Sequence, residues 1–141
     1  MPTSPIVAWI SIAPVKSMAL QPLTEAEIGP RGIAGDRRFA IVDPAGRLVN
    51  AKRHGSLRWP DGREVSGAVE PTTRRDAIFF GDPRGVLHLA GPFDDALSDW
   101  AGAPLHLVEL DLPGNGVDRA DEGGSISIAS VAALAALAHA G

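Results

Sequence analysis

Four residues of this 141-residue chain, Lys16, Ser17, Arg37 and Arg38, combine the side chains that hold an anion. Lysine offers a point charge, serine a rotatable hydroxyl, and arginine a planar fork that takes two phosphate oxygens at once. Pro14-Val15-Lys16-Ser17 follows an apolar run that ends in proline, so the lysine and serine leave a strand, whereas Asp36-Arg37-Arg38 enters another. If those strands pair, both groups lie at one end of a sheet. Side chains alternate across a strand, so Arg37 and Arg38 face opposite ways and only one can join Lys16. Asp36 could hold the other arginine or orient the binder. The competing interpretation is a set of edge charges that keep a sheet soluble.

Other chemistry is less well supported by spacing. His54, His88, His106 and His139 lie far apart, none pairs with another at helical or zinc-finger spacing, and there is no cysteine to assist them. No metal site and no catalytic residue are expected on that ground. The acidic stretch around Asp118, Asp121 and Glu122 departs from the calcium-loop pattern. "GPRGIAGD" matches neither a Walker loop nor a dinucleotide fingerprint.

The elements that must position these residues are mostly strands. Ile6 to Ile12 suits a strand buried on both faces and stopped by Pro14. Leu20 to Ile28 reads as a second strand closed by "GPRG". Arg37 to Val42 and Arg47 to Ala51, joined by Asp43-Pro44-Ala45-Gly46, predict a β-hairpin. Residues 54–76 lack a sustained period and predict a long connection holding at most a short strand. Ala77 to Phe80 and Val86 to Leu89 flank "GDPRG" as a second hairpin, and Leu105 to Leu110 is a further strand.

Two helices complete the pattern. "GPFDDALSDWAG" places Asp94 and Asp95 in a first turn, where carboxylates meet the positive end of the dipole, and Gly102 past the end. "PGNGVDRADEGG" reads as a loop, after which "SISI" looks strand-like and gives way to an alanine-rich helix capped by Ser127 or Ser130. That helix is apolar all round and expects to be surrounded. The fold class that follows is α+β, predominantly antiparallel β, with two helices.

Composition bounds the function. Hydrophobic residues at 45% and charged residues at 21% describe a globular domain rather than a disordered one. Residues 1–76 carry 11 Lys and Arg against 8 acids, and the remainder carries 2 against 9, so the first part invites anions. The acidic total, the few aromatics and the lack of a motif argue against nucleic acid. The N-terminus does not read as a signal peptide, the last seventeen residues fall short of a spanning helix, and the absence of cysteine ties the chain to no oxidising compartment, so a cytoplasmic location without a membrane is expected.

Two motifs together resemble a known family. Ala13-Pro14-Val15-Lys16-Ser17, followed by Gly32-Ile33-Ala34-Gly35-Asp36-Arg37 and a strand through Phe39 to Val42-Asp43, is similar to the N-terminal β-barrel domain of MOSC-type, molybdenum-cofactor-sulfurase-like proteins. "LSDWAGAPLHLVELD" and "SISIASVAALAAL" resemble the opening of the MOSC domain that follows it. The resemblance implies a β-barrel-like sheet over residues 1–95 and the beginning of a MOSC domain, truncated, over 96–141. It implies the molybdenum cofactor as ligand, with Lys16, Ser17 and Arg37 on the phosphate of a phosphorylated pterin, and it selects Arg37 over Arg38. The family's tyrosine is Ala13 here, a change that concerns packing. Relatives also carry a cysteine that ligates molybdenum or bears sulfur; with none in this chain, the expectation is a cofactor-binding portion that is not catalytic alone. The alternative is an interaction or oligomerisation module without cofactor, whose C-terminal helix docks on a partner chain or on a second copy.

Overall fold

The computed structural model describes residues 4–30, 32–50, 67–111 and 126–140. Two short antiparallel pairs open the chain: β1 (Ile10–Ile12) with β2 (Gln21–Leu23), and β3 (Ile28–Gly29) with β4 (Gly32–Ile33). Strand β1 covers only the end of the stretch expected from Ile6, and Ile6, Val7 and Trp9 are 89%, 77% and 58% exposed rather than buried on both faces. Among the described residues its partner is β2 alone, in a separate two-stranded sheet, so apolar character in this segment does not translate into a two-sided core position.

The expected first hairpin forms β5 (Phe39–Val42) and β6 (Leu48–Val49). The Gly46 amide donates to the Asp43 carbonyl at 2.8 Å, and the Asp43 carboxylate accepts the Arg47 amide and guanidinium, each at 2.9 Å. Gly46 closes the turn at φ +78°, where an L side chain would be strained. Burial pushes the Asp43 carboxyl up, but the Arg47 amide and guanidinium and the Ala45 amide hold it below the usual carboxylate range.

The second hairpin departs from expectation. Strands β7 (Glu70–Phe79) and β8 (Asp82–Ala90) meet at a two-residue turn, Phe80-Gly81, and Asp82 to Gly85 belong to the strand rather than to the turn. Both turn residues have positive φ, 55° and 92°, the backbone that matches the twist of paired strands. Pro83 is tolerated because β8 pairs with a third strand only from Val86 to His88, so the proline interrupts no ladder on that side. Strand β7 also begins inside the expected connection. Its first residues are polar and exposed, so they carry no hydrophobic period by which a strand could be read.

Helix α1 (Phe93–Ala101) lies where its sequence predicts, ending at Gly102 with φ +66° and a Gly102 amide to Ser98 carbonyl bond. Strand β9 (His106–Leu110) then enters the middle of a five-stranded antiparallel sheet of order β6-β5-β9-β8-β7. A boundary after residue 95 would split α1 and part β9 from the strands on both sides of it. Helix α2 (Val131–Ala140) is capped by Ser130, whose Oγ accepts the Ala133 amide at 3.0 Å, and residues 126–130 before it form no strand. Among the described residues, no helix is long and apolar enough to cross a membrane.

The sheet buries both faces. On one, Ala40, Val42, Ala77, Phe79, Val86, Val108 and Leu110 pack together, although β5 and β7 are separated by two strands. The sheet is therefore curled around these mostly small side chains. Among the described residues its two edges touch at one bridge, Arg47 to Ile78, where the Ile78 amide donates to the Gly46 carbonyl at 2.8 Å. It is a sheet bent toward a barrel but not closed into one. On the other face, Ile41, Val49, Leu89, Leu105 and Leu107 pack with Leu97 of α1, and Val15 and Met18 join them from the N-terminal segment.

Candidate functional site

The first site is the junction of the two N-terminal motifs. A short parallel ladder joins them: Val15 bridges Phe39, the Lys16 amide donates to the Phe39 carbonyl at 2.9 Å, and the Phe39 amide to the Pro14 carbonyl at 2.9 Å. One step earlier, the Arg37 amide donates to the Ala13 carbonyl at 2.6 Å. The side chain of Asp36 reinforces the seam, since its Oδ1 accepts the Ala13 amide at 2.8 Å while its Oδ2 takes the Arg37 guanidinium. Asp36 thus holds Arg37, the arginine that the motif selects, rather than Arg38.

Arg38 goes elsewhere. Its Nε donates to Glu109 of β9 at 2.6 Å, and its guanidinium lies 5.0 Å from the Phe39 ring centre. Lys16 leaves the seam toward the second hairpin, its Nζ 5.3 Å from the centre of the Phe80 ring. Backbone conformation marks the same place. Ser17 and Arg37 have φ of +68° and +48°; among the described residues only Phe80 joins them as a non-glycine in that region. An L residue there costs about 1–2 kcal/mol, and such conformations cluster at ligand sites.

A second cluster lies where the β8–β9 ladder ends, at His88 opposite Val108. Beyond that pair the Leu107 amide donates to Asp94 Oδ1 at 2.8 Å, so a side chain from the first turn of α1 takes over the role of a neighbouring strand. The other oxygen of Asp94 accepts His88 Nε2 at 2.7 Å and His106 Nδ1 at 2.8 Å. The two rings stand edge to face with centres 5.3 Å apart. Burial pushes the Asp94 carboxyl up, yet the bonds from His106, the Leu107 amide and His88 together hold it below the usual carboxylate range.

Linear spacing could not show this group. His88 and His106 share a face because β8 and β9 pair antiparallel, and Asp94 reaches them across the rim of the sheet. The first-turn position of Asp94 was legible, but only its fit to the helix dipole, not its partners. One signal was available in the alternation: His88 lies two residues from Val86, and His106 two from Val108, on strands that the sequence predicts.

An antiparallel α+β domain with a cation-bearing seam between two N-terminal motifs is the class that these observations define. Residues 4–59 match the family model described as the MOSC N-terminal beta barrel domain. No curated protein matches the chain.

Proposed function

We propose that this chain is the part of a MOSC-type protein that holds the phosphate end of a molybdopterin, with Lys16, Ser17 and Arg37 as its contacts. One observation carries the reading: within the segment that matches the family model, the two motifs are laced together by backbone bonds, and Ser17 and Arg37 both sit in strained left-handed conformations at the seam. A guanidinium has five N–H groups and can hold a carboxylate and a phosphate together, so the Asp36 contact orients Arg37 without consuming it. Lys16 adds a second positive charge and Ser17 a hydroxyl, which is the donor set that a dianionic phosphate needs.

When bound, the cofactor supplies a molybdenum centre for redox or sulfur-transfer chemistry. The sequence has no cysteine thiolate to offer that metal, so the residues present fit the phosphate end and not the molybdenum end. Replacing Lys16, Ser17 and Arg37 together by Gln, Ala and Gln should weaken binding of a phosphorylated pterin by at least about 100-fold, since the contacts of the two charged side chains contribute about 1.5–3 kcal/mol each. The loss should be larger at low salt. Fluorescence titration of the pterin ring reads it, and unchanged affinity in a variant with native thermal stability refutes the assignment.

A second reading rests on α2. Val131, Leu134 and Leu137 are 58%, 38% and 70% exposed, so this apolar helix offers surface to a partner chain or a second copy. Light scattering between about 5 and 500 μM should then show a concentration-dependent mass, and replacing Leu134 and Leu137 by Gln should abolish it. A constant monomer mass over that range excludes self-association.

A further inference from the structure

We infer that His88, Asp94 and His106 form a binding site for a divalent transition-metal ion of the zinc class, separate from the phosphate seam. The three side chains come from β8, α1 and β9, and one donor atom from each lies within 4.8 Å of the other two. Two imidazoles and a carboxylate are the donor set of three-ligand zinc sites, which leave further positions to water. Imidazole nitrogens favour zinc, cobalt, nickel and copper over calcium and magnesium.

The geometry needs little change to accept such an ion. Both histidine nitrogens already point at one carboxylate oxygen, at 2.7 and 2.8 Å. Ligand atoms at about 2.0–2.1 Å from a tetrahedral ion stand roughly 3.3 Å apart, so an ion enters by a small opening of the cluster. On entry each ring nitrogen that faces Asp94 exchanges its N–H for a lone pair: a neutral ring carries its proton on the other nitrogen instead, and a protonated ring releases one proton to solvent.

The surroundings support the ligands as a metal site requires. Asp94 keeps its other oxygen on the Leu107 amide, which fixes the carboxylate independently of the ion. Thr72 anchors His88 by donating to its carbonyl at 3.1 Å and lies 3.5 Å from its Nδ1. The side chains of His88, Asp94 and His106 are 23%, 22% and 28% exposed, enough for an ion to enter and for water to complete its shell.

The test uses the full chain, stripped with a chelator and then titrated with Zn²⁺ or Co²⁺. We expect one ion per chain at about micromolar affinity or tighter, visible ligand-field bands with Co²⁺, and no competition from Mg²⁺ or Ca²⁺. His88→Gln and His106→Gln should each weaken binding by about 100-fold, whereas the double variant His54→Gln, His139→Gln should bind as the native chain does. Two-dimensional NMR of the imidazole nitrogens keeps the test independent of variant folding. In the native protein, Zn²⁺ should shift the ring signals of His88 and His106 and leave those of His54 and His139 in place. No stoichiometric binding up to about 1 mM ion, unmoved His88 and His106 signals, or full binding in the His88 and His106 variants overturns the proposal and leaves the cluster as a hydrogen-bonded brace.

Discussion

Asp94→Ala should lower the free energy of unfolding by about 3 kcal/mol, measured by denaturant titration at neutral pH. The substitution removes the acceptor of three hydrogen bonds, from the Leu107 amide, His88 and His106. Leu107 is only 3% exposed, so its orphaned amide cannot turn to water, and an unsatisfied buried donor costs about 1–3 kcal/mol by itself. Loss of two bonds to a charged acceptor, partly open to solvent, adds the rest. Asp94→Asn retains an acceptor for Leu107 and should cost less, about 1–2 kcal/mol. If Asp94→Ala unfolds within about 0.5 kcal/mol of the native chain, the carboxylate does not brace α1 against the sheet.

The same residue sets a dependence on pH. The Asp94 carboxyl lies below its usual value in the folded protein, so its contribution is complete above the ordinary aspartate range. It is lost as pH falls through that range toward the folded value, because the unfolded chain then binds the proton more readily. Stability of the native chain should decline more steeply below about pH 4 than that of Asp94→Asn. Parallel curves would remove the linkage.

Ile41→Ala should be the other severe substitution, at about 3–4 kcal/mol. Ile41 is 1% exposed on β5, paired with Val49 on one side and Leu107 on the other, and it packs in the cluster that joins the sheet to α1. Its neighbours are held by ladders on both sides, so the cavity cannot collapse. The ion pairs offer a contrast. Arg38 with Glu109 and Arg74 with Asp111 have largely exposed arginines, and removing either pair should move stability by less than about 1 kcal/mol. The midpoint of urea unfolding separates these outcomes, and an Ile41→Ala cost no larger than that of an ion pair would mean that the second face of the sheet is not a packed core.

Elements whose signals are local were legible in the sequence. Asp43-Pro44-Ala45-Gly46 made its turn because proline, glycine and an aspartate that bonds its own backbone each act within four residues. Gly102 and Ser130 ended and began helices for equally local reasons. The second hairpin differs from expectation because turn-forming residues run from Gly81 to Gly85, and only the register of β7 on β8 places the turn at Phe80-Gly81. The exposed start of β7 was missed because an edge position needs no apolar pattern.

For the candidate sites the division follows the same physics. Residue types and spacing by themselves led to the expectation of an anion site at Lys16, Ser17 and one of Arg37 and Arg38, and to an antiparallel α+β class. Only the tertiary structure decided that Asp36 holds Arg37 while Arg38 turns to Glu109, since that depends on which strand lies beside β5. It alone brought His88, Asp94 and His106 together, because β9, late in the chain, enters the sheet between β5 and β8. Strand order is set by long-range pairing, and that pairing leaves no trace in the spacing of three residues drawn from three elements.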